Sequence, residues 1–287
     1  MPRGGEMVKV DNLQKNYGGF KLNISMEAVE GRVTAVVGKN GAGKTTLIKA
    51  ILGMIRPDGG STEIFGISSD RLTAEEKLRI GVTLADSGFS NELSVEDVIR
   101  ILRKAYPSFN EELYRRLCKE ERVDTKKQLR KLSTGMKTKI RVFNAITHKA
   151  DFLVLDEPTA GLDVDARNHI LDLLREFMEE DERRSILITS HIASDIENIS
   201  DEIYLIDNGR ILLHEETGNI LDYYGVVKVR DEDYEDLDKQ YILCSRKGSF
   251  GYECLTSAKQ FYAENYPNAV VENSGIDDLI IMMTGGK

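Results

Sequence analysis

Apolar and polar positions change period several times along the chain, and the changes divide it. Residues 8–10 and 22–26 alternate with the period of two expected of strands, with Tyr17-Gly18-Gly19 between them as a turn. The apolar, β-branched run Val33–Val37, introduced by Gly31, predicts another strand. Leu47, Ile48, Ile51 and Leu52 then predict a helix, stopped by Gly53 and the turn Pro57-Asp58-Gly59-Gly60, and residues 62–65 a short strand. From Asp86 to about Lys149 the period becomes helical, with Val95, Val98, Ile99 and Leu102 and then Leu113 and Leu117 in step. Strand character returns at residues 152–155 and 186–189, separated by an amphipathic helix marked by Ile170, Leu173, Leu174 and Phe177. That order predicts a right-handed parallel unit. Residues 203–207 and 211–214 flank Asn208-Gly209-Arg210 as a hairpin. The acidic run 231–238 marks a linker or loop. Beyond it residues 241–245 and 269–271 are strand-like, and 257–266 and 276–283 helix-like.

Composition narrows the class. A length of 287 residues suits one large domain plus a smaller one, and 41% hydrophobic residues suit a globular core. No apolar run approaches the ~20 residues needed to cross a bilayer, and no secretory leader is visible. A net charge of −9 argues against nucleic acid as a partner. Cys118, Cys244 and Cys254 lack metal-like spacing and read as reduced thiols, so the expectation is a soluble, cytoplasmic protein. Residues 1–6 lack apolar periodicity and are expected to be disordered. Codons for Arg3-Gly4-Gly5-Glu6 can spell a purine-rich ribosome-binding site, so translation is expected to start at Met7. Intact mass of the native protein tests that expectation.

The most informative chemistry lies between the Val33–Val37 run and the Leu47 helix. Gly38-Lys39-Asn40-Gly41-Ala42-Gly43-Lys44-Thr45-Thr46 is a P-loop, a glycine-rich turn that aims backbone N–H groups and a helix dipole at one point. Such a nest binds a triphosphate, with Lys44 reaching the β- and γ-phosphates and Thr45 holding Mg²⁺. Further on, the apolar residues 152–155 end in Asp156-Glu157. Asp156 suits a Mg²⁺ partner beside Thr45, and Glu157 suits a general base near the γ-phosphate. Leu132-Ser133-Thr134-Gly135-Met136 opens a helix whose N-terminus can again face an anion.

These segments, in this order, resemble the ATP-binding subunit of an ATP-binding-cassette (ABC) transporter over residues 7 to about 225. Walker A matches Gly38 to Thr45, and Walker B matches Phe152 to Asp156, with Glu157 at the catalytic-glutamate position. Residues 132–136 resemble the family signature, usually Leu-Ser-Gly-Gly-Gln, and Ala160-Gly161-Leu162-Asp163 resembles the D-loop. His191 follows a strand as the switch histidine does, and Tyr17 matches the aromatic that stacks on adenine. The resemblance implies an α/β P-loop NTPase fold of ABC type: a mixed or parallel sheet core with an antiparallel β subdomain. It further implies a helical subdomain at about 86–149, a nucleotide-binding domain over 7–225 and a small α/β C-terminal module over 226–287. By the same resemblance ATP meets Tyr17, Gly38, Lys39, Asn40, Gly41, Ala42, Gly43, Lys44, Thr45 and Thr46, while Ser133, Gly135 and Asp163 serve a second subunit's nucleotide. Thr45 and Asp156 hold Mg²⁺, and Lys44, Glu157 and His191 carry the chemistry.

In function, the resemblance implies an ATPase subunit that energises a membrane exporter through a separate permease, paired with a second nucleotide-binding subunit. It would lie peripherally on the inner face of the cell membrane, with no nucleic acid involved. Segments around 225–228 and 276–280 resemble the tail of drug- and antibiotic-export ATPases. Two departures leave other readings open. Ala85 stands where the family places a glutamine, and the signature carries Thr134 and Met136 in place of glycine and glutamine. A soluble non-transport ABC ATPase and an ATP-binding regulatory module with weak hydrolysis are the alternatives.

Overall fold

A computed structural model of the chain describes residues 5–84, 88–248 and 251–285. Strands β1 (Glu6–Asn16) and β2 (Lys21–Val29) pair antiparallel; β2 alternates buried Leu22, Ile24, Met26 and Ala28 with exposed neighbours. β3 (Val33–Val37) is buried at every position and runs through the P-loop into α1 (Lys44–Ile51). β4 (Gly59–Ile64) and β5 (Ile67–Ser68) complete a four-stranded sheet ordered β2-β1-β4-β5. Next come α2 (Ala74–Leu78) and β6 (Ile80–Thr83).

Three helices form the insert: α3 (Val95–Ala105), α4 (Glu111–Glu120) and α5 (Thr134–Ile146). Side chains start each one. Ser94 and Asp97 form a reciprocal capping box on α3, Asn110 Oδ1 accepts from Leu113 N on α4, and Ser133 Oγ accepts from Met136 N on α5. The insert is tied down where Glu121, just past α4, meets Lys139 on α5 and, at 2.5 Å, Nδ1 of His169.

After the insert come β7 (Phe152–Asp156), α6 (Val164–Glu179), β8 (Ser185–Ser190), α7 (Ala193–Ile199), β9 (Glu202–Asp207) and β10 (Arg210–Glu216). The second sheet is ordered β10-β9-β3-β8-β7-β6, parallel except for the β9–β10 hairpin. Asn208 and Gly209 turn that hairpin with φ of 46° and 73°, as a two-residue turn with left-handed centres requires. Strands β3, β8 and β7 are neighbours, so their carboxyl ends open at one place, where ligands of parallel α/β sheets gather.

The chain then forms α8 (Thr217–Tyr223), β11 (Gly225–Val229), β12 (Ile242–Gly248), β13 (Gly251–Thr256), α9 (Lys259–Asn265), β14 (Val270–Asn273) and α10 (Ile276–Thr284). Its sheet, ordered β12-β13-β11-β14, is antiparallel and two-faced. Val226 and Leu255 join the main core together with Ile276, Leu279 and Met282 of α10. The alternate residues Val227, Val229 and Cys254 pack with Tyr262 in a separate small core. α10 spans between two parts of the nucleotide-binding region. Glu197 on α7 accepts from Ile276 N at 2.8 Å at one end, and Lys39 Nζ of the P-loop donates to Thr284 O at 2.9 Å at the other.

Several expectations need correction. Glu6 is not disordered: it opens β1, and Gly5 O accepts from Glu30 N at 2.9 Å, so backbone pairing orders a segment without apolar period. The strand expected at 62–65 begins earlier, at Gly59, and ends before Phe65, whose φ of 56° turns the chain. Helices α7 and α8 and strand β13 are additions that the sequence pattern does not predict. Residues 1–4, Ala85 and Asp86 lie outside the described residues. Among the described residues, no helix is long and apolar enough to cross a membrane.

Candidate active site

The P-loop hangs between the end of β3 and the start of α1. Gly38 takes a φ of 152°, and a Cβ there would lie 2.2 Å from Ile206 O, so a side chain would push the loop off its sheet. Gly43, the N-cap of α1, has φ 114°, and a Cβ would sit 2.8 Å from the Phe20 ring. Among the described residues no side chain caps α1, so its first turn suits an anion. Phe20 also brings the β1–β2 turn against the P-loop. Tyr17 in that turn is 54% exposed, with Lys15 Nζ over its ring at 5.7 Å from the centroid, and its exposed aromatic surface suits a stacked base.

Lys44 is 6% exposed and folds back on its own loop, donating to Gly38 O at 2.7 Å and Lys39 O at 3.3 Å. Its Nζ also lies 3.7 Å from Glu157 Oε1. The other Glu157 oxygen, Oε2, meets His191 Nδ1 at 2.6 Å. One carboxylate is thus flanked by the P-loop lysine and the histidine beyond β8. Glu157 itself holds a φ of 52°, a left-handed conformation costly for any residue with a Cβ, at roughly 1–2 kcal/mol.

Asp156 is 3% exposed. Its Oδ2 accepts from Thr45 Oγ1 at 2.9 Å and its Oδ1 from Thr189 Oγ1 at 2.6 Å. Two hard oxygens from Thr45 and Asp156 side by side at a phosphate nest suit Mg²⁺, which takes one or two protein oxygens and fills its shell with phosphate oxygens and water. Nearby, Thr159 donates to Asp195 Oδ2 at 2.5 Å, joining the segment after Glu157 to α7. Burial raises the Asp195 carboxyl above its ordinary pKa, against the pull of Thr159 and Arg167.

The remaining residues expected at the site gather elsewhere. Ser133 caps α5, and a Cβ on Gly135 would lie 3.3 Å from Leu162. Asp163 caps α6 by accepting from Ala166 N at 2.9 Å. The signature and D-loop segments therefore pack on one another within this chain. Lys39 sends its side chain to α10, while Asn40 and Gly41 lie exposed at the loop tip and Ala42 is buried. Thr46 follows Thr45 in the first turn of α1. Sequence reasoning missed Thr189 as a partner of both acids. Its signal is a hydroxyl residue directly after the apolar run Ile186–Ile188, two positions before His191.

The ABC transporter family model matches residues 22–160, from the second strand through Asp156-Glu157 to the D-loop. The Nod factor export ATP-binding protein I of Ralstonia nicotianae is 30% identical over 241 residues, covering 76% of this chain and 73% of that protein. The chain belongs to the ABC transporter ATP-binding family. The bacitracin transport ATP-binding protein of Bacillus licheniformis is 33% identical over 212 residues, 72% of this chain and 68% of that protein. Among solved structures, one described as the ATP binding subunit of an ABC transporter aligns with a TM-score of 0.66 at 26% identity, over 75% of this chain and 91% of that one. A dimeric cassette bound to ADP and Pi has a TM-score of 0.64 at 21% identity, over 74% of this chain and 99% of that one, and shares the fold. As an ABC ATPase, the chain converts ATP and water to ADP and phosphate.

Proposed function

We propose that this ABC ATPase is the energising subunit of an exporter, acting through a separate permease and paired with a second nucleotide-binding subunit. The observation that carries the site assignment is the convergence of Lys44, Thr45, Asp156, Glu157 and His191 at the open ends of β3, β7 and β8. The P-loop N–H groups and Lys44 bind and orient the phosphates, and Tyr17 stacks on the base. Thr45 and Asp156 would hold Mg²⁺, which when bound would neutralise phosphate charge. Glu157 accepts a proton from the attacking water, and His191 orients Glu157 and donates toward the γ-phosphate. Here Lys44 faces Glu157, so the lysine must exchange a carboxylate partner for a phosphate as nucleotide enters.

Ser133, Gly135 and Asp163 sit on the signature and D-loop cluster, where they would face the nucleotide of a paired subunit. Residues 7–225 form the nucleotide-binding domain and 226–287 the accessory module. Export is supported by relatives whose names specify Nod factor export and bacitracin transport. A groove of ≈ 620 Å³ between β6 and the insert, lined by Met54, Val82, Phe89, Leu102 and Tyr106 among others, offers an apolar seat for a permease helix.

The test is reconstitution in vesicles with the multispanning protein that co-purifies with this chain from membranes. Mg-ATP hydrolysis should rise in the presence of that protein and disappear with EDTA, and the binary complex should be lost in Met54→Glu. A chain that hydrolyses ATP equally well with and without every co-purifying membrane protein would reject the transporter reading.

A further inference from the structure

We infer that Thr189 is a positioning residue for hydrolysis, one hydroxyl that sets both the metal-side carboxylate Asp156 and the general base Glu157; the inference rests on the ATPase reading of the site. Thr189 is fully buried on β8, directly across the parallel ladder from Asp156. Its hydroxyl has one proton and two lone pairs. The proton goes to Asp156 Oδ1 at 2.6 Å, and the oxygen accepts the Glu157 N–H at 3.2 Å. The same N–H also reaches Thr189 O, at 3.1 Å.

Each bond has a distinct consequence. The Oδ1 bond leaves Oδ2 as the oxygen that faces Thr45, so Thr189 chooses which edge of the carboxylate points to the P-loop. The bonds to Glu157 N hold a left-handed residue in place, which aims its carboxylate between Lys44 and His191. β-Branching leaves Thr189 few χ1 choices, so the hydroxyl is held where both partners need it. The adjacent Ser190 does nothing similar: its Oγ accepts from Ile192 N at 3.0 Å in the turn after β8. A valine has nearly the same shape, and the three preceding strand positions, Ile186, Leu187 and Ile188, are apolar, so packing alone does not call for a hydroxyl here.

Thr189→Val keeps the shape and removes the hydroxyl, while Thr189→Ser keeps the hydroxyl and removes the methyl. Removing a residue that orients a metal ligand costs about 10–100-fold in activity or metal affinity. We expect Thr189→Val to lower kcat by about 10–100-fold and weaken Mn²⁺ binding about tenfold, read by electron paramagnetic resonance with a non-hydrolysable ATP analogue. ATP affinity in EDTA should stay within about twofold, and Thr189→Ser should recover to within about threefold of wild type in both readouts. If Thr189→Val does not fold, Thr189→Cys, near in volume and a poor donor, takes its place with the same expectation. Wild-type kcat and Mn²⁺ affinity in the hydroxyl-free variant would overturn the inference, as would a serine variant impaired as much as the valine one. A wild-type chain without Mg-ATP hydrolysis would reject the functional reading separately, and unchanged Mn²⁺ affinity in Thr189→Val would then still overturn the role of Thr189.

Discussion

The parallel sheet and the C-terminal sheet bury apolar residues in opposite styles. β3, β7 and β8 are buried at every position, and the polar residues that build the site come at or beyond their carboxyl ends: the P-loop, Asp156-Glu157 and Thr189-Ser190-His191. Thr34 and Ser185, earlier in β3 and β8, bond to Glu202 and Gly31 N instead. The C-terminal sheet alternates, sending Val226 and Leu255 to the main core and Val227 and Cys254 to a small one rich in tyrosine. In the first sheet the strands aim chemistry at one edge. In the second, both faces are occupied with packing, so its contribution is attachment. A parallel sheet covered on both faces has only its ends left for function, whereas a two-faced antiparallel sheet can join two cores.

The largest expected effect lies at the parallel edge. Glu157→Gln should keep ATP binding and slow turnover by about 10²–10⁴-fold, and should accumulate an ATP-bound dimer detectable by size-exclusion light scattering. Turnover near wild type would move the base elsewhere and remove the contrast between the two sheets. Next comes Leu255→Ala, which deletes a fully buried side chain where the C-terminal sheet meets the main core. It should cost about 2–5 kcal/mol in denaturant unfolding and leave one cooperative transition. Two separate transitions in the wild type would show the sheets to be independent.

Within the small core the effects shrink. Tyr262→Phe removes the hydroxyl that donates to Asp238 O at 2.6 Å, and should cost about 0.5–1.5 kcal/mol with kcat and KM for ATP unchanged. A change in kcat would mean that the small core reaches the catalytic edge. Smallest of all, Lys39→Ala removes one exposed bond to Thr284 O and should lower stability by less than about 1 kcal/mol, read as a small drop in Tm.

Legibility in the sequence divides along the same line. The parallel edge is legible because phosphate chemistry demands fixed residue types at short spacing, as in Gly38 to Thr45 and Asp156-Glu157. Thr189 is not, because its partners lie across a strand ladder and no local spacing encodes that register. The helices α7 and α8, seven residues each, are too short for a helical period to stand out. Strand β13 begins at Gly251, a residue depleted in strands, and its alternation carries Tyr, Cys and Leu rather than a β-branched run. Glu6 enters a strand because Val29 pairs with it, a tertiary cause invisible in the local pattern.

Helix α10 gives the attachment an arithmetic consequence. One end is held by Glu197, on the helix that comes after His191, and the other holds Lys39 inside the phosphate loop. The phosphate loop and the helix that follows His191 are therefore joined by a single helix of nine residues. Linkage makes any such connection run both ways: if filling the phosphate loop strains the helix's seat by some factor, then loosening the seat changes ATP affinity by that same factor. On that condition a helix that performs no chemistry would act as a dial on the loop that does.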